Sequence, residues 1–138
     1  AYRLACQQFV AATILLALYL EVGSIHPRLV GYYNAIVYGS GDVEVFATPA
    51  MIALMEMTAN ESVKALLPQE CISVGIEINA KHIKASKVGS LITCESFLSK
   101  VEGKRLSFNI IAYDEEGKIG EATHNRVIVE KDKFLSKL

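Results

Sequence analysis

Hydrophobic positions change their period twice along this chain. From residue 9 to 20, FVAATILLALYL is apolar at nearly every position. From residue 45 to 59, VFATPAMIALMEMTA begins a helical pattern in which Met51, Leu54, Met55, Thr58, Ala59, Ser62 and Leu66 recur on one face. Thr48 and Pro49 open it, since Thr suits an N-cap and Pro the first helical position. After residue 70 the period becomes two. In CISVGIEINAKH, Ile72, Val74, Ile76, Ile78 and Ala80 share one face with His82, while Ser73, Glu77, Asn79 and Lys81 take the other. GSLITCESFLSKV, RLSFNIIAYD and KIGEATHNRVIVE read as three more strands, with Gly-containing connections at 102–104 and 114–118. GYYNAIVYG, 31–39, reads as a first strand. The predicted order is strand, helix, four antiparallel strands: an α+β domain. One face of such a sheet is apolar and needs cover, and the helix from 49 to about 66 can supply it.

The N-terminal run stands apart from this pattern. At 12 residues it is shorter than the roughly 20 needed to span a bilayer. Arg3 precedes it as in a leader, but no A-x-A-like exit follows. It is expected to be an apolar helix packed on its own domain or on a partner subunit. The organisation expected is an N-terminal apolar segment, 1–25, and a folded domain, 26–138.

Composition removes several functions. The chain has 138 residues, enough for one domain with a real core. Fourteen basic residues stand against 15 acidic ones, and no basic run occurs, so nucleic acid is not an expected partner. Cys6, Cys71 and Cys94 are far apart and odd in number; neither a zinc site nor a disulfide framework is supported. They are read as buried thiols in a reducing, cytoplasmic setting, with no metal, no cofactor and no membrane contact expected.

Candidate chemistry centres on one carboxylate. Glu56 has Ile52, Ala53, Ala59 and Asn60 at its i±3 and i±4 positions, none of them basic. Thr48 lies eight residues earlier, about 80° away around the helix. His82 falls on the sheet face assigned to the helix. A hydroxyl, a carboxylate and an imidazole can therefore border one apolar groove. Such a set can perform acyl transfer: the carboxylate attacks or activates water, the imidazole moves protons, and helix-terminal amides hold an oxyanion. Each residue also has a plain structural reading. Thr48 can be only an N-cap. Glu56 can face solvent. His82 can be a strand-end histidine. His124 and Arg126 share a strand face and can be surface residues. GSGD, 39–42, is an incomplete phosphate-loop pattern without an immediate helix, and a nucleotide fold is rejected. His26 has no identifiable partner.

Taken together, GSGDVEVFATPAMIALMEMTA, INAKHIKAS and EATHNRVIV resemble the hot-dog-fold acyl-CoA thioesterases of the fluoroacetyl-CoA thioesterase type, from about residue 31 to the end. The resemblance implies a hot-dog fold, an antiparallel sheet wrapped around a long central helix, here with an extra N-terminal apolar helix. It implies hydrolysis of an acyl-CoA thioester in a homodimer or higher homo-oligomer whose sheets join side by side, with the active site between subunits. It places Thr48, Glu56 and His82 as the catalytic set. Glu56 would be nucleophile or base, Thr48 would orient it or the carbonyl, and His82 would handle the thiolate's proton. Gly41, Asp42 and Arg126 are the candidate substrate-binding residues. Arg126, with Lys84 and Lys87 as weaker candidates, is considered for contact with CoA phosphate. The competing reading is a non-catalytic acyl-CoA-binding or sensing hot-dog protein.

One departure concerns specificity. Fluoroacetyl-specific members carry phenylalanines just before their Val-Phe-Ala-Thr stretch. This chain has Gly39, Ser40, Gly41 and Asp42 there, so a fluoroacetyl preference is not implied.

Overall fold

A computed structural model describes the backbone of residues 21–25 and the full residues 33–138. The expected N-terminal apolar helix and the run at 9–20 lie outside the described residues.

Helix α1, Thr48–Lys64, is the centre of the domain. Its buried side chains are Ala50, Met51, Leu54, Met55, Thr58, Ala59 and Val63, close to the stripe read from the sequence. Met51 and Met55 are fully enclosed. Burying a side chain of that size is worth roughly 1.5–3 kcal/mol. Thr58 tolerates the core because its hydroxyl donates to the Leu54 carbonyl one turn back, at 2.7 Å.

Five antiparallel strands wrap this helix. They are β1 (Glu21–Ile25), β2 (Cys71–His82), β3 (Ile92–Glu102), β4 (Arg105–Asp114) and β5 (Gly117–Glu130), in the order β1-β3-β4-β5-β2. Alternation puts Leu106, Phe108, Ile110 and Ala112 of β4 against the helix, with Ile92, Cys94 and Leu98 of β3 beside them. Two-residue turns join β3 to β4 and β4 to β5, as the pairs Glu102 with Arg105 and Asp114 with Gly117 show. Gly103 adopts φ +58° in the first, where a side chain would be strained. A short helix α2, Lys131–Leu135, ends the chain. A sheet wrapped on one central helix is the hot-dog arrangement that the resemblance implies.

The first strand differs from expectation. Residues 33–40 form turns and a single bridge, not a strand. Asn34 explains this: its side-chain oxygen accepts from the Val37 amide at 3.0 Å and its carbonyl accepts from Tyr38, bending the chain at once. The strand beside β3 is instead Glu21–Ile25, inside the segment expected to be an N-terminal appendage.

β2 also departs from simple alternation. Gly75 pairs with Arg126 and Glu77 with Asn125, so Ile76 is an extra residue in a β-bulge. The bulge reverses the facing of the strand. Before it, Cys71 and Ser73 are buried; after it, Ile78 and Ala80 pack on the core. Ile76 is left 52% exposed, against the expectation that it faces the helix.

Candidate active site

The start of α1 meets the end of β2. Thr48 Oγ1 and His82 Nδ1 are hydrogen-bonded at 2.9 Å. Ala47, not Thr48, is the N-cap, and no side chain caps the helix. The Thr48 hydroxyl is thus engaged with His82, in place of the capping role the sequence also allowed. Pro49 carries no amide, so Thr48 and Ala50 supply the amides that open the helix, where intrahelical acceptors are lacking.

His82 is half-buried beside Phe46, whose ring lies edge-on at 6.2 Å. Burial lowers its pKa, with the Lys84 backbone opposing. The ring is accordingly biased towards its neutral form. Its Nε2 is buried without a hydrogen-bond partner among the described residues. An imidazole held at one nitrogen and open at the other can pass a proton.

A groove of about 330 Å³ opens beside this pair, lined by Ala35, Gly41, Val43, Ile83 and Ala85 among others. Small and aliphatic residues make up most of the wall, with Phe46 and Lys84 also lining it. Gly41 lies in the wall, whereas Asp42 is exposed and outside it. Lys84, also on the rim, is committed to Asp114 at 3.0 Å and Glu116 at 2.8 Å. A second hollow, about 390 Å³, lies among Asn79, Lys81, Asn109 and Thr123 and contains none of the catalytic candidates.

Asp114 fixes the loop after His82. Its side chain is only 5% exposed and accepts from Lys84, from Ser86 at 2.8 Å and from the Glu116 amide at 2.9 Å. Burial opposes its charge, but these donors outweigh burial and hold its pKa below the usual carboxylate value. The Ser86 carbonyl in turn accepts from the Phe46 amide, two residues before Thr48.

Glu56 is elsewhere. It sits two helical turns from Thr48, about 12 Å along the axis. Its surroundings are Gly75, His124 and Arg126: a Cβ built on Gly75 would stand 3.1 Å from Glu56 Oε1, 3.2 Å from His124 Cε1 and 3.5 Å from Arg126 Nη1. Within one chain, then, Thr48 and His82 are brought together and Glu56 is not.

Arg126 is not at the surface, one of the positions the sequence allowed, being 6% exposed. Nε donates to Ser73 Oγ at 2.8 Å and Nη2 to Asn60 Oδ1 at 3.1 Å and the Ser73 carbonyl at 2.9 Å. Nη1 donates to His124 Nε2 at 3.2 Å and towards the Glu56 carbonyl at 3.5 Å. Five donors therefore meet five acceptors inside the protein, leaving none for a CoA phosphate. His124 is 1% exposed, so the surface reading does not hold for it either. Burial lowers its pKa, with Arg126 adding to the effect and the Glu77 carbonyl and Glu56 opposing it. The available signal was parity: Ala122, His124, Arg126 and Ile128 are alternate residues of β5, and all four are buried.

Comparison with known proteins gives the relatives of this chain. Residues 32–132 match the family described as fluoroacetyl-CoA-specific thioesterase. A fluoroacetyl-CoA thioesterase of Streptantibioticus cattleyicolor is 36% identical over 95 residues, 69% of this chain and 68% of that protein. Among solved structures, a phenylalanine-to-alanine variant of the fluoroacetyl-CoA-specific thioesterase, in complex with fluoroacetate and CoA, superposes with a TM-score of 0.77. It is 28% identical, and the match covers 86% of this chain and 95% of that one. A thioesterase superfamily member from Thermus thermophilus, 23% identical with a TM-score of 0.74 over 84% of this chain and 86% of that one, shares the fold.

Proposed function

Since the chain belongs to the fluoroacetyl-CoA-specific thioesterase family and is an acyl-CoA thioester hydrolase, we propose that it works as a homodimer whose site joins Thr48 and His82 of one protomer to Glu56 of the partner subunit. The observation that carries this reading is the separation of the two half-sites within one chain. Thr48–His82 lies at one end of β2 and Glu56 lies beside Gly75, nearer the other end. β2 is a sheet edge. An edge strand invites pairing. Antiparallel pairing of two β2 strands about a two-fold axis near Ile78 and Asn79 would lay the Gly75 end of each beside the His82 end of the other.

The chemistry then follows from position. The thioester carbonyl lies at the start of α1, where the amides and the positive end of the helix dipole favour an oxyanion. Glu56 of the partner subunit attacks the carbonyl carbon, or takes a proton from the water that does. The C–S bond breaks and CoA leaves as the thiol; where Glu56 has attacked, water then cleaves the acyl–Glu56 anhydride and restores the carboxylate. His82, anchored through Nδ1 to Thr48, relays the proton between water and sulfur. The products are the free acid and CoA. The pantetheine arm follows the subunit boundary, and the aliphatic groove with Gly41 in its wall receives the acyl group. Cys6, Cys71 and Cys94 form no CxxC pair and are odd in number, which favours a reducing compartment over a disulfide framework, and we place the enzyme in the cytoplasm. Among the described residues no helix is long and apolar enough to cross a membrane.

Thiol release from a panel of acyl-CoAs tests the proposal. Wild type should release CoA, and Glu56→Gln should lower kcat on the order of a hundredfold or more while folding normally. Equal rates would remove Glu56 from the mechanism. Binding by wild type without thiol release would replace hydrolysis with the sensing role.

A further inference from the structure

His124 is a buried titratable group that the proposed mechanism does not use. Its two nitrogens face partners of fixed character. Nδ1 is 2.8 Å from the Glu77 carbonyl, which can only accept. Nε2 is 3.2 Å from Arg126 Nη1, which can only donate. The ring is therefore neutral, with its proton on Nδ1 and its lone pair on Nε2. A proton on Nε2 would set two donors against each other in a closed space.

We infer that His124 is a positioning residue for hydrolysis: its Nε2 holds the Arg126 guanidinium off the Glu56 carboxylate, leaving that carboxylate unbound. The inference rests on the reading of Glu56 as nucleophile or base. A guanidinium beside a carboxylate ordinarily forms a direct, often two-pronged pair. Such a pair would occupy the oxygens that must act on substrate or water. Here no ion pair engages the Glu56 carboxylate among the described residues. The cation lies beside the carboxylate at Gly75, yet every N–H has another acceptor. Asn60, Ser73 and the Glu56 carbonyl hold four of the five. His124 holds the fifth, on Nη1, the nitrogen nearest the bulge where Glu56 Oε1 lies. Losing that acceptor frees one donor to swing onto the carboxylate.

The groups facing His124 come from four elements: Arg126 on β5, Glu56 on α1, the Glu77 carbonyl on β2 and the Phe108 ring on β4, 6.3 Å between centroids. The Glu77 carboxylate points away to Arg105 and Asn125.

The test compares kcat and KM for wild type, His124→Leu and His124→Gln with one hydrolysed acyl-CoA. Leucine removes the acceptor; glutamine offers an oxygen near the Nε2 position. His124→Leu should lose about 10- to 100-fold in kcat with little change in KM, and His124→Gln should recover most of that loss. A kcat for His124→Leu within about twofold of wild type overturns the inference, as does a glutamine variant no better than leucine. If His124→Leu does not fold, 15N NMR of the wild-type imidazole decides: a bare Nε2 at neutral pH supports the inference, and a protonated Nε2 overturns it. Full activity in Glu56→Gln would remove the underlying reading. An inactive Glu56→Gln beside a fully active His124→Leu would remove only this step.

Discussion

The Thr48 hydroxyl stands 2.9 Å from His82 Nδ1, although it belongs to the first residue of a helix where capping was the simpler use. Two roles predict opposite results for Thr48→Ala. A lost cap costs about 1 kcal/mol of stability and leaves chemistry alone. A lost anchor for His82 leaves stability nearly unchanged and lowers turnover by about tenfold or more. We expect the second, with Thr48→Ser close to wild type in both. Thermal denaturation and thiol-release kinetics on the same preparations check it.

Gly75 predicts a separable effect. Its φ is not in the left-handed region, so alanine is tolerated by the backbone. The added Cβ meets Glu56 Oε1 at 3.1 Å and His124 Cε1 at 3.2 Å, and the carboxylate is the freer of the two. Gly75→Ala should shift Glu56 by a few tenths of an ångström and cost about tenfold in kcat with a small change in Tm. Gly120→Ala should do the reverse. There the Cβ meets Met51 Sδ at 2.5 Å and the Lys81 carbonyl at 2.9 Å, in the core. Overpacking of this kind costs about 1–3 kcal/mol. Equal Tm values for the two variants would contradict the assignment.

Much of the fold was legible because it rests on local pattern. The α1 stripe and both tight hairpins could be read from helical spacing and Gly-containing turns. Three features rested on tertiary events instead. The bulge at Ile76 reversed the facing of β2, and only the glycine at 75 hinted at it. The segment 31–39 has the aromatic and branched residues of a strand, but Asn34 diverts its hydrogen bonds into turns. A surface position was one reading of His124 and Arg126, because polar side chains usually lie there. They are buried because each supplies what the other needs, donor for acceptor, with Ser73 brought inward by its place before the bulge. Thr48 and His82 were placed on one groove correctly. Glu56 was joined to them by helical angle and by the family resemblance; the angle ignores the 12 Å or so that eight residues of helix rise covers, and the resemblance puts the site between subunits.

Acid sensitivity should follow the histidines. Both His82 and His124 have lowered pKa values in the folded protein, chiefly through burial. The unfolded chain then binds more protons as pH falls through about 6.5, the ordinary histidine value. Their neutral burial is fully tolerated above that pH, and stability drops below it. The carboxylates with lowered values, Asp114 and Glu121 among them, contribute above their unfolded values and lose that contribution only as pH falls through their lower folded values. Tm measured between pH 5 and 8 should therefore fall on the acid side of about 6.5, with a shallower slope in His124→Gln. Identical slopes would mean that His124 takes up no extra proton on unfolding.

Complementation tests the shared site most directly. Thr48→Ala and Glu56→Gln homodimers should each be nearly inactive, since every site lacks one group. In a mixed dimer, one site carries both lesions and the other carries neither. That intact site takes Thr48 and His82 from the Glu56→Gln chain and Glu56 from the Thr48→Ala chain. Co-refolding equal amounts gives mixed dimers as about half of the population, each with one working site of two, so turnover should return to about a quarter of wild type. A site contained in one chain predicts no recovery, because each chain would keep its own lesion. Tagging the two chains differently and purifying only mixed dimers should raise the recovery to about half. Failure of purified mixed dimers to exceed the parent variants would return Glu56 to its own chain and leave the 12 Å or so between it and Thr48 to be bridged by substrate or water alone.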